Sequence, residues 1–124
     1  MRLPIVFLVA GLLVGCGKKG LEPVSYEKQI QPILNKNCIS CHGTEKAEGG
    51  ILLTSYDNLM NSRILPGKKP LVVPESYVKS WLYILCSTDQ PHYRMPPDTL
   101  NKTLLPKSEL TLIAEWIAQG AKNN

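Results

Sequence analysis

Three residues that can attach a cofactor or bind a metal lie within five positions, in the stretch Cys38-Ile-Ser-Cys41-His42. A cysteine thiolate is both a nucleophile and a metal ligand. An imidazole nitrogen is a common metal ligand. The stretch therefore marks a centre for covalent attachment, for metal binding or for thiol redox chemistry.

The spacing favours covalent attachment of one haem c with its iron. Two thiols three positions apart match the two vinyl groups of a haem edge, and the adjacent His42 then supplies an imidazole to the iron. A thioredoxin-like pair requires a βαβ context, which this sequence does not predict. A zinc site needs a fourth ligand from Cys86 or His92, and adjacent Cys41 and His42 are awkward ligands for one tetrahedral ion. A plain Cys38–Cys41 disulfide is the remaining alternative.

A second ligand for the iron is expected from the late loop His92-Tyr-Arg-Met95-Pro-Pro97. Met95 offers a thioether, and the two prolines stiffen the backbone that holds it. His92 is the alternative ligand, and an open sixth position is the third possibility. Methionine and histidine together raise the reduction potential of a haem, so the alternatives differ in a measurable property.

The first 15 residues predict export. Met1 and Arg2 precede an apolar run of about 13 residues, the size of a signal-peptide core and too short to span a membrane comfortably. The run ends in Leu13-Val-Gly-Cys16, which resembles a bacterial lipobox with Cys16 as the lipidated N-terminus. We therefore predict a signal peptide over 1–15, a lipid anchor and tether over 16–24, and one domain over 25–122. An ordinary signal peptide with an incidental cysteine is the alternative.

Four helical stretches are predicted to position the site. Their apolar residues recur at helical spacing, and Ser25 and Gly120 suit the start of the first and the end of the last. The stretches are Ser25–Asn37, with Tyr26, Ile30, Ile33 and Leu34 inward; Ser55–Ser62; Tyr77–Cys86, with Val78, Trp81, Leu82 and Leu85 on one face; and Lys107–Gln119. No strand is predicted. Pro66, Pro70 and Pro74 predict an irregular middle loop.

Composition excludes several classes of protein. Hydrophobic residues make up 44% and charged residues 19%, which argues against disorder along the whole chain. The single long apolar run excludes a polytopic membrane protein. A net charge of +4 without a nucleic-acid-binding motif gives no support for a nucleic-acid partner. A domain this small is marginal on hydrophobic burial alone, which favours a cofactor, a metal or a disulfide as additional support for its core.

The motifs together resemble those of a class I, monohaem cytochrome c. The resemblance rests on Cys38-x-x-Cys41-His42-Gly43 after a first helix, on Met95-Pro-Pro, and on the closing helix within Glu109–Ala121. Further stretches are similar to the planctomycete-type branch of that family: Gly49-Gly-Ile-Leu-Leu53, Val72-Val-Pro74 and Lys79–Leu85.

The resemblance implies an all-α fold of about four short helices wrapped around one covalently bound haem, with the first and last helices in contact. It implies that Cys38 and Cys41 form the thioethers, that His42 is the proximal ligand and that Met95 is the distal ligand. The expected function is single-electron transfer rather than enzymatic catalysis. The expected location is a bacterial membrane, with the domain facing the periplasm or the cell exterior.

The sequence also suggests partners, alternative functions and roles for individual residues near the motifs. The partners are expected to be redox proteins, with donor and acceptor unspecified, and a role as accessory partner of a larger enzyme is compatible with the same chemistry. A haem sensor or ligand-binding protein with a displaceable Met95 is the alternative function, and a structural lipoprotein without haem is another. Cys86 is predicted to be a buried thiol that acts as a small apolar group; an intermolecular disulfide or a reactive thiol is the alternative. Arg94 and Tyr83 are candidates for contact with the haem propionates, and Lys68 and Lys69 for steering an acidic partner.

Overall fold

The computed structural model describes residues 21–100 and 103–124. The helices in this part are α1 (Gln31–Asn37), α2 (Ile39–His42), α3 (Tyr56–Asn61), α4 (Trp81–Ser87) and α5 (Lys107–Ala118), with a π-helical segment at Tyr26–Ile30 and single 3₁₀ turns at Glu48–Gly50, Tyr77–Lys79 and Asp98–Leu100. Two short strands, β1 (Arg63–Ile64) and β2 (Lys69–Pro70), pair antiparallel. The expectation of a helical domain is thus met, with one small hairpin added.

The predicted signal peptide, lipid anchor and Cys16 lie outside the described residues. Within residues 21–100 and 103–124, no helix combines the length and the apolar character needed to cross a membrane. Val24, which the sequence assigns to the tether, is buried at 5% exposure. Its backbone N–H donates to Oε1 of Gln119 at 2.8 Å, so the packed part of the chain begins one residue before Ser25.

The first helical stretch begins where the sequence predicts. The Ser25 hydroxyl oxygen accepts a hydrogen bond from the backbone N–H of Lys28 and caps the segment. The four predicted inward residues, Tyr26, Ile30, Ile33 and Leu34, are all buried. The stretch is π-helical before it becomes α1, and Pro32 falls in the first turn of α1, where no backbone N–H is needed.

The last helix packs against this first stretch. Ile113, Trp116 and Ile117 of α5 are at most 1% exposed. The indole of Trp116 lies 5.5 Å from the ring of Tyr26, which in turn meets Tyr56 edge-to-face at 5.2 Å. Aromatic pairs at such distances stabilise beyond the area that they bury. The rings therefore join the first helical stretch, α3 and α5 into one core.

Polar contacts add to this packing. The Glu109 carboxylate accepts hydrogen bonds from Nζ of Lys36 at 2.9 Å and from Nδ2 of Asn37 at 3.0 Å. After α5, Gly120 adopts φ +99°, which glycine tolerates and which ends the helix as predicted. The indole N–H of Trp116 then donates to the carbonyl of Lys122 at 2.9 Å. The C-terminal tail is thereby held against the core.

The buried phenol of Tyr26 predicts a loss of stability at alkaline pH. Burial, with smaller contributions from Tyr56 and Asp57, raises the pKa of Tyr26 from 10.0 to about 12. Its folded pKa exceeds its unfolded pKa, so its contribution to stability is complete below pH 10 and is lost as pH rises toward about 12. We expect urea unfolding to show this loss in the parent chain and not in Tyr26→Phe. Tyr93→Phe, which changes an exposed ring, is the control and should lose stability at alkaline pH as the parent chain does. An equal decrease in the free energy of unfolding in Tyr26→Phe and in the parent chain would contradict the assignment.

The predicted third helix is wrong in its first half. The chain makes a 3₁₀ turn at Tyr77–Lys79, breaks at Ser80 and begins α4 at Trp81. Ser80 is fully buried, and its hydroxyl donates to the carbonyl of Ser76 at 2.9 Å and accepts from the N–H of Val73 at 2.8 Å. These side-chain bonds compete with helical ones. Val78 is consequently 64% exposed instead of facing inward.

Candidate cofactor site

Helix α2 places the Cys-x-x-Cys-His motif at the end of the first helical stretch. The N–H of Cys38 still donates to the carbonyl of Leu34 at 2.8 Å, and the N–H of His42 donates to the carbonyl of Cys38 at 2.9 Å. Cys38 and His42 are four residues apart on a helical turn and so share a face. A Cβ atom on Gly43 would lie 2.4 Å from the carbonyl oxygen of Ile39, so glycine alone lets the chain leave α2 this closely.

A cavity of about 490 Å³ opens beside this face of α2 and is lined by Cys38, His42 and Met95. Its volume lies within the roughly 300–1,000 Å³ typical of small-molecule and cofactor sites. Most of the other lining side chains are aliphatic: Ile51, Leu53, Ile64, Leu65, Leu71, Leu82 and Leu85. A second cavity, of about 30 Å³, shares Cys38, His42 and Met95 and adds Cys41. The structure thus brings together all four residues predicted to hold the cofactor.

The imidazole of His42 is poised as a neutral ligand. Desolvation lowers the pKa of His42 below 6.5, against smaller opposing effects of Glu48 and the backbone of Ile51. A neutral imidazole carries the lone pair that metal binding requires. Its Nδ1 atom is the one buried side-chain nitrogen or oxygen of the described residues that makes no hydrogen bond. A buried polar atom without a partner is costly and calls for a functional explanation.

The loop that carries Met95 is anchored on both sides of the residue. The N–H of Met95 donates to the carbonyl of Leu85 in α4 at 2.8 Å. Nε of Arg94 donates to the carbonyl of Pro96 at 3.1 Å and braces the turn across Met95. His92, the alternative ligand, is exposed and lines neither cavity. The predicted contacts of Arg94 and Tyr83 with propionates stay predictions; the ring of Tyr83 packs edge-to-face on Tyr77 at 5.0 Å.

Cys86 is a component of the site that the sequence leaves unassigned. The side chain is 4% exposed and lines both cavities. Burial, with a smaller effect of Cys38, raises the pKa of the Cys86 thiol to about 12. The thiol is therefore protonated at neutral pH and behaves as a small apolar group. Its spacing of four residues from the buried Leu82 is the sequence signal that places it on the inner face of α4.

This environment predicts an unreactive thiol. A rise in pKa from 9.0 to about 12 lowers the thiolate fraction by about a thousandfold at mildly alkaline pH. We expect an alkylating reagent to leave Cys86 unmodified in the native, cofactor-loaded chain and to modify it rapidly in urea. Peptide mapping by mass spectrometry assigns the label, and Cys86→Ser is the control that must lose it. Rapid modification of Cys86 in the native chain would show that the side chain is accessible.

The alternative chemistries find less support in the geometry. No group of three or more His, Cys, Asp or Glu side chains that could hold a metal ion occurs in the described ranges, so Cys86 and His92 do not complete a zinc site there. The thiols of Cys38, Cys41 and Cys86 are not joined in disulfides. The sequence did not identify which aliphatic residues line the cavity, because most of them come from loops and from the hairpin.

A small helical domain with a Cys-x-x-Cys-His motif beside an apolar cavity, and a methionine on the same cavity, defines the class of c-type haem proteins. The family model of planctomycete cytochrome C matches residues 38–99, half of the chain, and the chain belongs to this family. The resemblance to the planctomycete-type branch is thereby confirmed. A haem-binding role in electron transfer follows from the family. Neither the curated proteins nor the solved structures include a match to this chain.

Proposed function

We propose that this protein is an exported, lipid-anchored electron carrier that holds one haem c between His42 and Met95 in a class I cytochrome c fold. The observation that carries the proposal is the shared cavity, which Cys38, His42 and Met95 line together. The packing of α5 on the first helical stretch agrees with the contact between first and last helices that this fold implies.

Cys38 and Cys41 would hold the cofactor through thioether bonds. Both side chains are half-buried, and both border the smaller cavity next to His42. Covalent attachment prevents loss of the cofactor outside the cell. The continuity of α2 with α1 fixes the thiols relative to the core, since the N–H of Cys38 remains bonded to the buried Leu34.

His42 and Met95 would supply the two protein ligands of the iron. When bound, the haem supplies an iron that alternates between the ferric and ferrous states. His42 presents a neutral imidazole, and its main chain is fixed because its carbonyl accepts from the N–H of Leu53 at 2.9 Å. Met95 is held by α4 through the carbonyl of Leu85. Two fixed ligands keep the structural change small when an electron arrives or leaves.

The lining of the cavity is mostly aliphatic and makes the surroundings apolar. Leu71 and Leu82 are each 4% exposed, and Ile51 is 8% exposed. An environment of low polarity is one of the means by which a protein sets the potential of its haem. We propose an electron carrier rather than an enzyme, because the cytochrome c family and the cofactor ligands on the cavity support that role.

Lipid on Cys16 would tether the domain to a bacterial membrane on its outer side. The residues between Cys16 and Val24 contain glycine, lysine and proline and suit a tether. Several acyl chains give stable anchoring where one gives only reversible binding. Tethering raises the effective concentration of the carrier at redox proteins of the same membrane, which are its proposed partners.

The visible spectrum of protein made in a host with c-type maturation tests the proposal. We expect the absorption bands of a reduced c-type haem, a pyridine haemochrome with two saturated vinyl positions, and a weak long-wavelength band of methionine-bound ferric haem. Haem without the long-wavelength band would contradict Met95 as ligand and favour the sensor. A colourless, folded product would refute the cytochrome function.

A further inference from the structure

The hairpin that β1 and β2 form lies at the edge of the candidate cofactor site. Leu65, directly after β1, lines the large cavity and is nevertheless 68% exposed. The next residues, Pro66 and Gly67, form the turn that leads to β2. An exposed leucine at the wall of a cofactor cavity provides an apolar contact point close to whatever the cavity holds.

Basic residues flank this leucine in the hairpin sequence. Arg63, Lys68 and Lys69 lie in the hairpin and are exposed, and no acidic residue occurs between Asp57 and Glu75. The guanidinium of Arg63 is held by the carbonyls of Met60 and Ser62, at 2.7 and 2.8 Å. These bonds leave its positive charge uncompensated by any carboxylate of this segment.

Two further contacts define the charge of this surface. Nζ of Lys69 lies 5.0 Å from the ring centre of Trp81, a cation–π contact that orients the ammonium without neutralising it. Glu48 also lines the cavity, but its carboxylate is paired with Nζ of Lys46 at 3.1 Å. The hairpin that contributes Leu65 to the cavity wall therefore carries three positive charges that no carboxylate of this segment compensates.

We propose that the hairpin Arg63–Pro70 is the docking surface for an acidic electron-transfer protein, with Leu65 as its apolar contact. The proposal rests on the proposed function, because an electron exchanged here must reach a cofactor in the adjacent cavity. Charge complementarity identifies the partner: a positive surface attracts and orients an acidic one and accelerates encounter.

A protein fits this surface better than a lipid bilayer does. The hairpin presents three positive charges and one exposed leucine, without the extended apolar face of a membrane-binding helix. A bilayer bound to the hairpin would also cover Leu65 and the adjacent cavity wall, and would block the contact that an electron carrier needs.

Stopped-flow reduction of the full-length, haem-loaded chain by reduced flavodoxin, an acidic one-electron donor, tests the proposal. At low salt we expect Lys68→Glu/Lys69→Glu to lower the bimolecular rate constant by at least about tenfold, and the difference to shrink as salt is added. Lys68→Gln/Lys69→Gln should give a smaller decrease, and Leu65→Ser should lower the rate at all salt concentrations. Unchanged visible spectra establish that the lysine variants are folded and loaded. Because Leu65 lines the cavity, the haem content of Leu65→Ser is measured and its rate is expressed per haem.

The matched control is Lys28→Glu/Lys122→Glu, which changes the net charge equally at two exposed lysines that do not line the cavity. An equal decrease in this control would overturn the proposal in favour of a net-charge effect, and an unchanged rate in the hairpin variants would overturn it outright. If the hairpin variants lose binding to phosphatidylglycerol vesicles while their rate of reduction by flavodoxin is unchanged, the hairpin is a membrane contact instead. A colourless parent chain would refute the proposed function, whereas a coloured parent with a rate insensitive to the hairpin refutes the docking surface alone.

Discussion

We expect His42→Ala to lower covalently bound haem by at least about tenfold. Replacing residues that only support a metal ligand already costs about ten- to a hundredfold, and His42 is itself the proposed ligand. The physical reason is that His42 is the one imidazole on the cavity, and no other described side chain there offers a ring nitrogen. Haem staining after denaturing electrophoresis measures the loss, because it reports covalent attachment separately from folding.

His92→Ala is the matched control, since the chain contains two histidines and His92 is exposed away from both cavities. It should retain the haem content and the spectrum of the parent chain. Full haem content in His42→Ala together with loss in His92→Ala would exchange the two assignments. Comparable stain in all three chains would show that neither histidine is needed for attachment.

We expect Met95→Ala to keep the covalent haem but to lower the reduction potential by at least about 0.1 V, within the roughly 0.8 V range that haem ligands set. The variant also loses the long-wavelength band of the ferric form. The thioether is removed, whereas Cys38, Cys41 and His42 are untouched. Spectroelectrochemical titration measures the potential and the band in the same sample.

Met60→Ala is the control for this second prediction. Met60 is half-buried on α3 and lines neither cavity, so its loss should leave the potential and the band unchanged. An unaltered potential in Met95→Ala would assign the sixth position to another group or leave it open. Loss of the band in His92→Ala would identify His92 as the residue that maintains the methionine bond.

The elements that the sequence predicts well are those with local signals. For α5 the apolar spacing, Pro106 at the start and Gly120 after the end all agree, and the helix ends within one residue of the expected Gln119. Ser55 likewise accepts from the N–H of Asn58 and caps α3 as its position suggests. In both helices the information lies within a few turns of chain.

The elements that the sequence misses depend on distant partners. Ser80 breaks the third helix because its hydroxyl bonds to Val73 and Ser76, and a serine at that position gives no such warning by itself. β1 and β2 are two residues long, too short to show alternation of polar and apolar residues. For these elements the fold, not the local pattern, decides the conformation.

The same distinction holds for the site. The motif and Met95 are recognisable because covalent attachment and ligation need particular residue types at particular spacings. Cys86 and the aliphatic lining are ordinary core residues by type, and only their convergence on one cavity gives them a role. Which side of α4 faces Cys38 is a property of tertiary packing.

The two ends of the domain are tied together. The carbonyl of Asn124 accepts from the backbone N–H of Glu27 at 3.1 Å and from the hydroxyl of Ser25 at 2.8 Å. A purification tag or fused protein added after Asn124 would therefore emerge beside Ser25 and Glu27, at the start of the first helical stretch. Joining Asn124 to Val24 and opening the chain at an exposed loop, such as the one around His92, gives a circular permutant of the packed domain that lacks the segment before Val24.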